Sequence, residues 1–87
     1  MTMEATIHVS SAVVSVLPEQ RSNVMSMLAS LPDIELHHSN ASKIVVVMEA
    51  ATSGILGNRL AEIAFWPGVL SANMVFEQIE RLADIGD

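Results

Sequence analysis

The sequence predicts an α+β fold with four strands and two helices in the order β-α-β-β-α-β. Four segments rich in β-branched residues alternate with two segments whose apolar residues recur at helical spacing. The two halves also resemble each other, since Pro32 and Pro67 stand at matching helix-to-strand junctions. A chain of 87 residues has room for one domain, and its apolar content of 51% suits a packed core.

The first half of the chain predicts a strand, a helix and a second strand. Residues 7–17 are rich in valine, which favours a strand that ends at Pro18. Pro18 suits a first helical turn, and Val24, Leu28 and Leu31 recur at helical spacing, so a helix is predicted over residues 18–31. Residues 34–38 alternate between apolar and polar side chains and predict the second strand.

The second half repeats this pattern. Residues 43–50 are strongly β-prone and predict the third strand. Thr52 or Ser53 is expected to cap a second helix whose buried stripe is Leu56, Leu60 and Ile63. Residues 69–77 predict the fourth strand. The domain is expected to span residues 1–87, with a core of about 6–78 and a frayed, charged tail over 79–87.

A twofold β-α-β arrangement of this size is typical of the ferredoxin-like fold. Its four-stranded antiparallel sheet has the strand order 4-1-3-2 and carries both helices on one face. Side chains alternate between the two faces of a sheet, so the even-numbered residues of the first and third strands are predicted to face the helices. On the fourth strand the same rule predicts that Leu70, Ala72, Met74 and Phe76 face the helices.

The opposite face of the sheet is the candidate binding site. It is expected to expose a central strip of valines with glutamates at the margin. The predicted residues are Ser11, Val13, Ser15, Glu35, Val45, Val47, Glu49, Asn73, Val75 and Glu77. Such a surface suits a short segment that carries basic and apolar side chains. Ordinary exposed valines, or burial of the sheet in a dimer, are the plainer alternatives.

Composition excludes several classes of function. A formal net charge of −6 repels phosphate backbones and favours a cationic partner. Phe65, Trp66 and Phe76 are too few aromatic residues for base stacking, so no nucleic acid is expected. The absence of cysteine excludes disulfides and thiolate chemistry. No catalytic site is predicted, because the acidic residues that share a face have no pocket or nucleophile beside them.

Other polar residues have plain interpretations. His37 and His38 are adjacent on a strand and would point to opposite faces, so no metal site is expected. Arg21 and Arg59 are expected to be solvated charges on helix surfaces. The chain shows neither a secretory signal nor an apolar run of spanning length, so a cytoplasmic protein without stable membrane insertion is expected.

Four segments resemble the NapD family. They are SAVV at residues 11–14, LPDIE at 31–35, KIVVVME at 43–49 and GVLSANMVF at 68–76. The similarity runs in register from about residue 11 to residue 78 and so covers nearly the whole predicted domain. One departure stands at the end of the last strand, where the family often has Tyr-His and this chain has Phe76 and Glu77.

The resemblance implies a ferredoxin-like cytoplasmic chaperone with no catalytic activity, metal or cofactor. Its expected partner is the twin-arginine signal peptide of the catalytic subunit precursor of the periplasmic nitrate reductase. Binding would withhold the precursor from export while the molybdenum cofactor is inserted. Glu35, Glu49 or Glu77 would each suit a guanidinium group. A ligand-binding regulatory module of the ACT type is the alternative, and the oligomeric state stays open between a monomer and a weak dimer.

Overall fold

A computed structural model describes residues 6–81 of the protein and, within them, the side chains of residues 7–78. The elements are β1 (Thr6–Val16), a 3-10 turn (Pro18–Gln20), α1 (Arg21–Ala29), β2 (Ile34–Ser39), β3 (Lys43–Ala50), α2 (Ser53–Ala64) and β4 (Val69–Arg81). Their order confirms the predicted one. β4 continues to Arg81, so the first part of the expected frayed tail belongs to the sheet, and residues 82–87 lie outside the described residues.

The four strands form one antiparallel sheet in the order β2-β3-β1-β4, which is the predicted order read from the other edge. β1 lies at the centre, and Val13 pairs with Val45 of β3 on one side and with Asn73 of β4 on the other. Both helices pack on the face that carries the even-numbered residues of β1 and β3. No helix among residues 6–81 has the length and apolar character needed to cross a membrane.

The core lies between this face and the helices. Its members are all at most 9% exposed: Ala12, Val14, Val16, Val24, Leu28, Ile34, Ile44, Val46, Met48, Leu56, Leu60 and Ile63. They are aliphatic or methionine side chains. Truncating a large one, as in Leu28→Ala, would lower the free energy of unfolding by about 2–5 kcal/mol. This packing leaves the odd-numbered side of the sheet to face away from the helices.

Local sequence signals explain where the helices begin. The Thr52 side chain caps α2, as predicted, because its Oγ1 accepts a hydrogen bond from the Ile55 amide at 3.2 Å. α1 is shorter than predicted because Pro18 starts a 3-10 turn in place of the first α-helical turn.

Gly68, just before β4, has a φ of +86°, and its carbonyl accepts a hydrogen bond from the Leu17 amide at 2.9 Å.

The alternation predicted for β4 is wrong at both of its ends. Ser15 pairs with Ser71 while Val16 pairs with Val69, so Leu70 is an extra residue and is 65% exposed instead of buried. A second shift makes Val75 the extra residue between the partners of Ser11 and Ala12. Because one inserted residue reverses every later side chain, the orientation of the strand beyond Val75 is opposite to the predicted one.

Candidate functional site: the open face of the sheet

The open face has a floor of valines in two neighbouring strands. Val13 and Val45 are direct partners, Val47 pairs with Ser11, and Val9 continues the row opposite Glu49. We call Val9, Val13, Val45 and Val47 the valine strip. Each is half-buried, whereas Val14 and Val46 on the other face are fully buried. No helix among residues 6–81 packs on the strip.

The β4 side of the face carries a residue that the sequence prediction missed. Phe76 pairs with Ser11, which places its ring on the open face, where it is 57% exposed. Val75, the extra residue beside it, is 62% exposed. Ser71 and Asn73 face the open side as predicted, opposite Ser15 and Val13. The exposed apolar surface therefore extends from the valine strip to the edge strand.

The β2 side of the face is acidic. Glu35 pairs with Val47 and Glu49 with Val9, so the two carboxylates flank one end of the valine strip. The Glu49 amide donates to the Asp33 carbonyl at 3.1 Å, which ties this end of β3 to the residue before β2. A shallow depression of about 260 Å³ lies here, lined by Pro32, Asp33, Ile34, Glu35, Val47 and Glu49.

Glu77 is not part of this acidic margin, which corrects the prediction. It pairs with Ser10 and faces the helices. Its Oε2 accepts a hydrogen bond from Ser53 Oγ at 2.5 Å and lies 3.1 Å from His8 Nδ1. The hydrogen bonds from Ser53 and then from His8 lower the pKa of the Glu77 carboxyl from its ordinary 4.5. Glu77 is therefore a fixed anion on the far side of the sheet.

The serine, histidine and glutamate of this cluster do not form a catalytic triad. A triad needs the serine on one ring nitrogen of the histidine and the carboxylate on the other. Here Ser53 Oγ and Glu77 Oε2 both contact Nδ1 of His8, at 3.0 and 3.1 Å. The Ser53 hydroxyl donates its hydrogen bond to Glu77, so the imidazole does not act as the base for this serine. The arrangement fits a structural hydrogen-bond cluster.

The histidine pair on β2 also differs from its prediction. Leu36 pairs with Val46 and His38 with Val45, so His37 is an extra residue in the strand. Both histidines are exposed, and His37 Nε2 lies 3.3 Å from Glu35 Oε1. The prediction excluded a metal site shared by the two histidines because side chains alternate along a regular strand. That alternation is interrupted at His37. Across the described part of the chain, no three His, Asp or Glu side chains are placed to hold a metal ion.

Comparison with known proteins identifies the family of this chain. The model of the NapD protein family matches residues 7–81. The chain belongs to the NapD family. It is 40% identical over 73 residues to the protein named Chaperone NapD from Paracoccus pantotrophus, an alignment that covers 84% of this chain. The chain spans 65% of the length of that relative.

Solved structures show where the NapD fold recurs. The chain is similar to the E. coli Tat proofreading chaperone protein NapD, with a TM-score of 0.77 and 29% identity over 98% of this chain and 88% of that one. It is also similar to a transcriptional regulatory protein of the AsnC family from Pyrococcus furiosus, with a TM-score of 0.60 and 23% identity over 90% and 52% of the two chains. The latter likeness shows the fold alone. The NapD matches do not favour the ACT-type alternative.

Within this NapD family member, most of the predicted site residues share one face. Those on the open side of the sheet are Ser11, Val13, Ser15, Glu35, Val45, Val47, Glu49 and Asn73. Val75 is exposed at the bulge, and Glu77 lies on the opposite side. Val9 and Phe76 are additions. Val9 was not predicted, although the alternation along β1 extends to it from Ser11 and Val13, and no signal in the sequence marks the bulge that exposes Phe76.

Proposed function

We propose that this protein is a cytoplasmic chaperone for the twin-arginine signal peptide of the periplasmic nitrate reductase catalytic subunit precursor. By holding that peptide, it delays export until the molybdenum cofactor is inserted. The observation that carries the proposal is the valine strip with Glu35 and Glu49 at one end, on the face that neither helix of residues 6–81 covers. The names of the two NapD relatives, one a chaperone and the other a Tat proofreading chaperone, support it.

Apolar burial supplies most of the binding free energy in this proposal. Covering apolar surface yields about 25 cal/mol per Å², so the four valines of the strip and Phe76 together offer several kcal/mol. A solvent-exposed ion pair contributes only about 0–1 kcal/mol. The carboxylates therefore set the position and direction of the peptide more than its affinity.

The charges on β3 give the site a direction. Along the open face this strand presents Lys43, Val45, Val47 and Glu49 in order. Arginines at the Glu49 end would meet the carboxylates of Glu35 and Glu49, whereas Lys43 would repel them at the other end. The apolar stretch that follows the arginines would then run along the valine strip from Val47 towards Val45, with Phe76 beside it on β4 at the level of Val47. The order of a basic and then an apolar part in the peptide thus matches the order of the acidic end and the valine strip in the site.

The proposed role requires no catalysis, metal or cofactor. Holding a peptide away from the export machinery needs only an equilibrium of binding and release. The cluster of Ser53, His8 and Glu77 fits this view, because Ser53 and Glu77 share one ring nitrogen of His8 and the three residues lack the geometry of a triad.

Titration calorimetry with the synthetic signal peptide tests the proposal. We expect binding to the wild type, a several-fold loss when both arginines are changed to lysine, and near-complete loss with Val45→Glu. Lysine keeps the charge but not the planar fork that binds a carboxylate through two hydrogen bonds. Ile55→Glu is the matched control, because Ile55 is an exposed aliphatic residue (48%) on α2, away from the open face. Equal binding by the wild type and Val45→Glu would overturn the proposal.

A further inference from the structure

The end of β4 has two possible registers against β1. In the observed register Val75 is the extra residue, so Ser11 pairs with Phe76 and Ser10 with Glu77. Without that extra residue, plain alternation would pair Ser11 with Val75 and Ser10 with Phe76. The two registers exchange the faces of Phe76 and Glu77. The regular register is the one that the hydrophobic pattern alone favours.

The observed register goes against that pattern. It leaves the Phe76 ring 57% exposed and brings a carboxylate to the helix-covered face, where the Glu77 side chain is 27% exposed. Exposing an aromatic ring and partly desolvating an anion are both unfavourable. Specific interactions of the carboxylate must offset these costs.

Two side chains from two different elements supply those interactions. Ser53, the first residue of α2, donates to Glu77 Oε2 at 2.5 Å. His8 of β1 places Nδ1 3.1 Å from the same oxygen, and a carboxylate can only accept, so the imidazole carries its proton on Nδ1 in this contact. Hydrogen bonds to an ionised acceptor are about twice as strong as neutral ones. Both contacts exist only when Glu77 faces the helices.

We propose that the Glu77 carboxylate, held by Ser53 and His8, locks the bulge at Val75 and thereby keeps Phe76 on the open face. Glu77 is then a positioning residue. It acts on the open face from the opposite side of the sheet, through the register of its own strand. Its value for peptide binding rests on the proposed function, but the register itself does not.

The register is measurable by NMR without any peptide. Cross-strand nuclear Overhauser effects should connect Ser11 with Phe76 in the wild type. In Glu77→Ala we expect these to disappear and contacts between Ser11 and Val75 to replace them. Glu35→Ala is the matched control, because it removes a carboxylate from β2 and should leave the β4 register unchanged. Ser53→Thr keeps a hydroxyl at the α2 start and should retain the wild-type pattern.

A second variant keeps the proposal testable if Glu77→Ala does not fold. Changing Ser53 and His8 together to alanine leaves the carboxylate in place without either partner, and it should produce the same shift to the Ser11–Val75 pairing. Retention of the Ser11–Phe76 pairing in either folded variant would overturn the proposal.

Peptide binding separates this inference from the proposed function. Phe76→Ala and Glu77→Ala should each weaken signal-peptide binding several-fold, and the double variant should bind no more weakly than either single one, because both remove the same ring from the face. If the register shifts while peptide binding stays the same, the lock stands and the role of Phe76 in binding fails.

Discussion

Glu77 of β4 and His8 of β1 meet on the helix-covered face of the sheet, with Oε2 and Nδ1 3.1 Å apart. Ser53 Oγ completes the contact at 2.5 Å from the same carboxylate oxygen. The three residues come from three elements. The cluster therefore joins the N-terminal part of β1 and the C-terminal part of β4 to the start of α2. Its chemistry has a direct consequence for the response of the protein to pH.

We expect the contribution of Glu77 to stability to disappear in acid. The pKa of its carboxyl is lowered in the folded protein, first by the hydrogen bond from Ser53 and then by that from His8. The ionised form is therefore favoured by folding, and the stabilisation is present above the ordinary value of 4.5 and is lost as the pH falls through the lower folded pKa. Urea midpoints of the wild type and Glu77→Gln should differ at neutral pH and converge in acid. A gap between them that is independent of pH would contradict this assignment.

Gly68→Ala is expected to destabilise the protein. Gly68 has a φ of +86°, and an added Cβ would overlap the Cβ of Gln20. A residue in such a strained conformation costs about 1–3 kcal/mol, and the overlap adds to that cost. Gly57→Ala is the matched control, because nothing lies within 4 Å of its added Cβ. Since Gly57 lies inside α2, this change should raise the free energy of unfolding by up to about 1 kcal/mol. Chemical denaturation measures both, and similar effects of the two changes would contradict the explanation.

Breaking the pair of Arg59 and Asp33 should also lower stability. Arg59 Nε and Nη2 lie 3.0 and 3.2 Å from the two carboxylate oxygens of Asp33, and both side chains are about three-quarters buried, at 26% and 23% exposure. Because the pair is two-pronged and links α2 to the loop before β2, Asp33→Asn should cost about 1–2 kcal/mol. The neighbouring contact of Arg59 with Glu62 is 3.4 Å long with Glu62 60% exposed, so Glu62→Gln should change little. Equal losses in the two variants would argue against a special role for Asp33.

The sequence predicted the parts of the fold that follow regular periods. The unbroken alternation of β3, from Lys43 to Glu49, placed its three valines and its neighbours on the correct faces. The side-chain orientation predicted for β4 was wrong because the position of a bulge depends on tertiary contacts. The contact of Glu77 with Ser53, for example, joins residues 24 positions apart. The prediction that Arg59 is a solvated charge was also wrong, because nothing in the sequence near Arg59 indicates that Asp33 is its partner. Periodicity reports on burial, whereas bulges and ion pairs depend on tertiary partners.

The acidic end of the open face should orient the bound peptide. Glu35 and Glu49 flank Val47 and the depression beside it, and the Glu35 side chain is 76% exposed. Asp33 lines the same depression, but Arg59 already binds its carboxylate. Glu35→Gln and Glu49→Gln should therefore each weaken binding of the twin-arginine peptide by no more than about fivefold, in keeping with about 1 kcal/mol for a solvated ion pair.

The salt dependence of binding distinguishes orientation from simple attraction by net charge. Glu19→Gln removes the same charge from an exposed position in the turn before α1 and serves as the control. Because screening weakens solvated pairs, the wild type should lose affinity as ionic strength rises, and a variant with both Glu35 and Glu49 changed to glutamine should lose much less. A peptide labelled near its arginines should also lie close to Glu49 and far from Lys43 in the wild type only. If Glu19→Gln weakened binding as much as the two open-face changes, net charge would explain the effect and the acidic end would have no directing role.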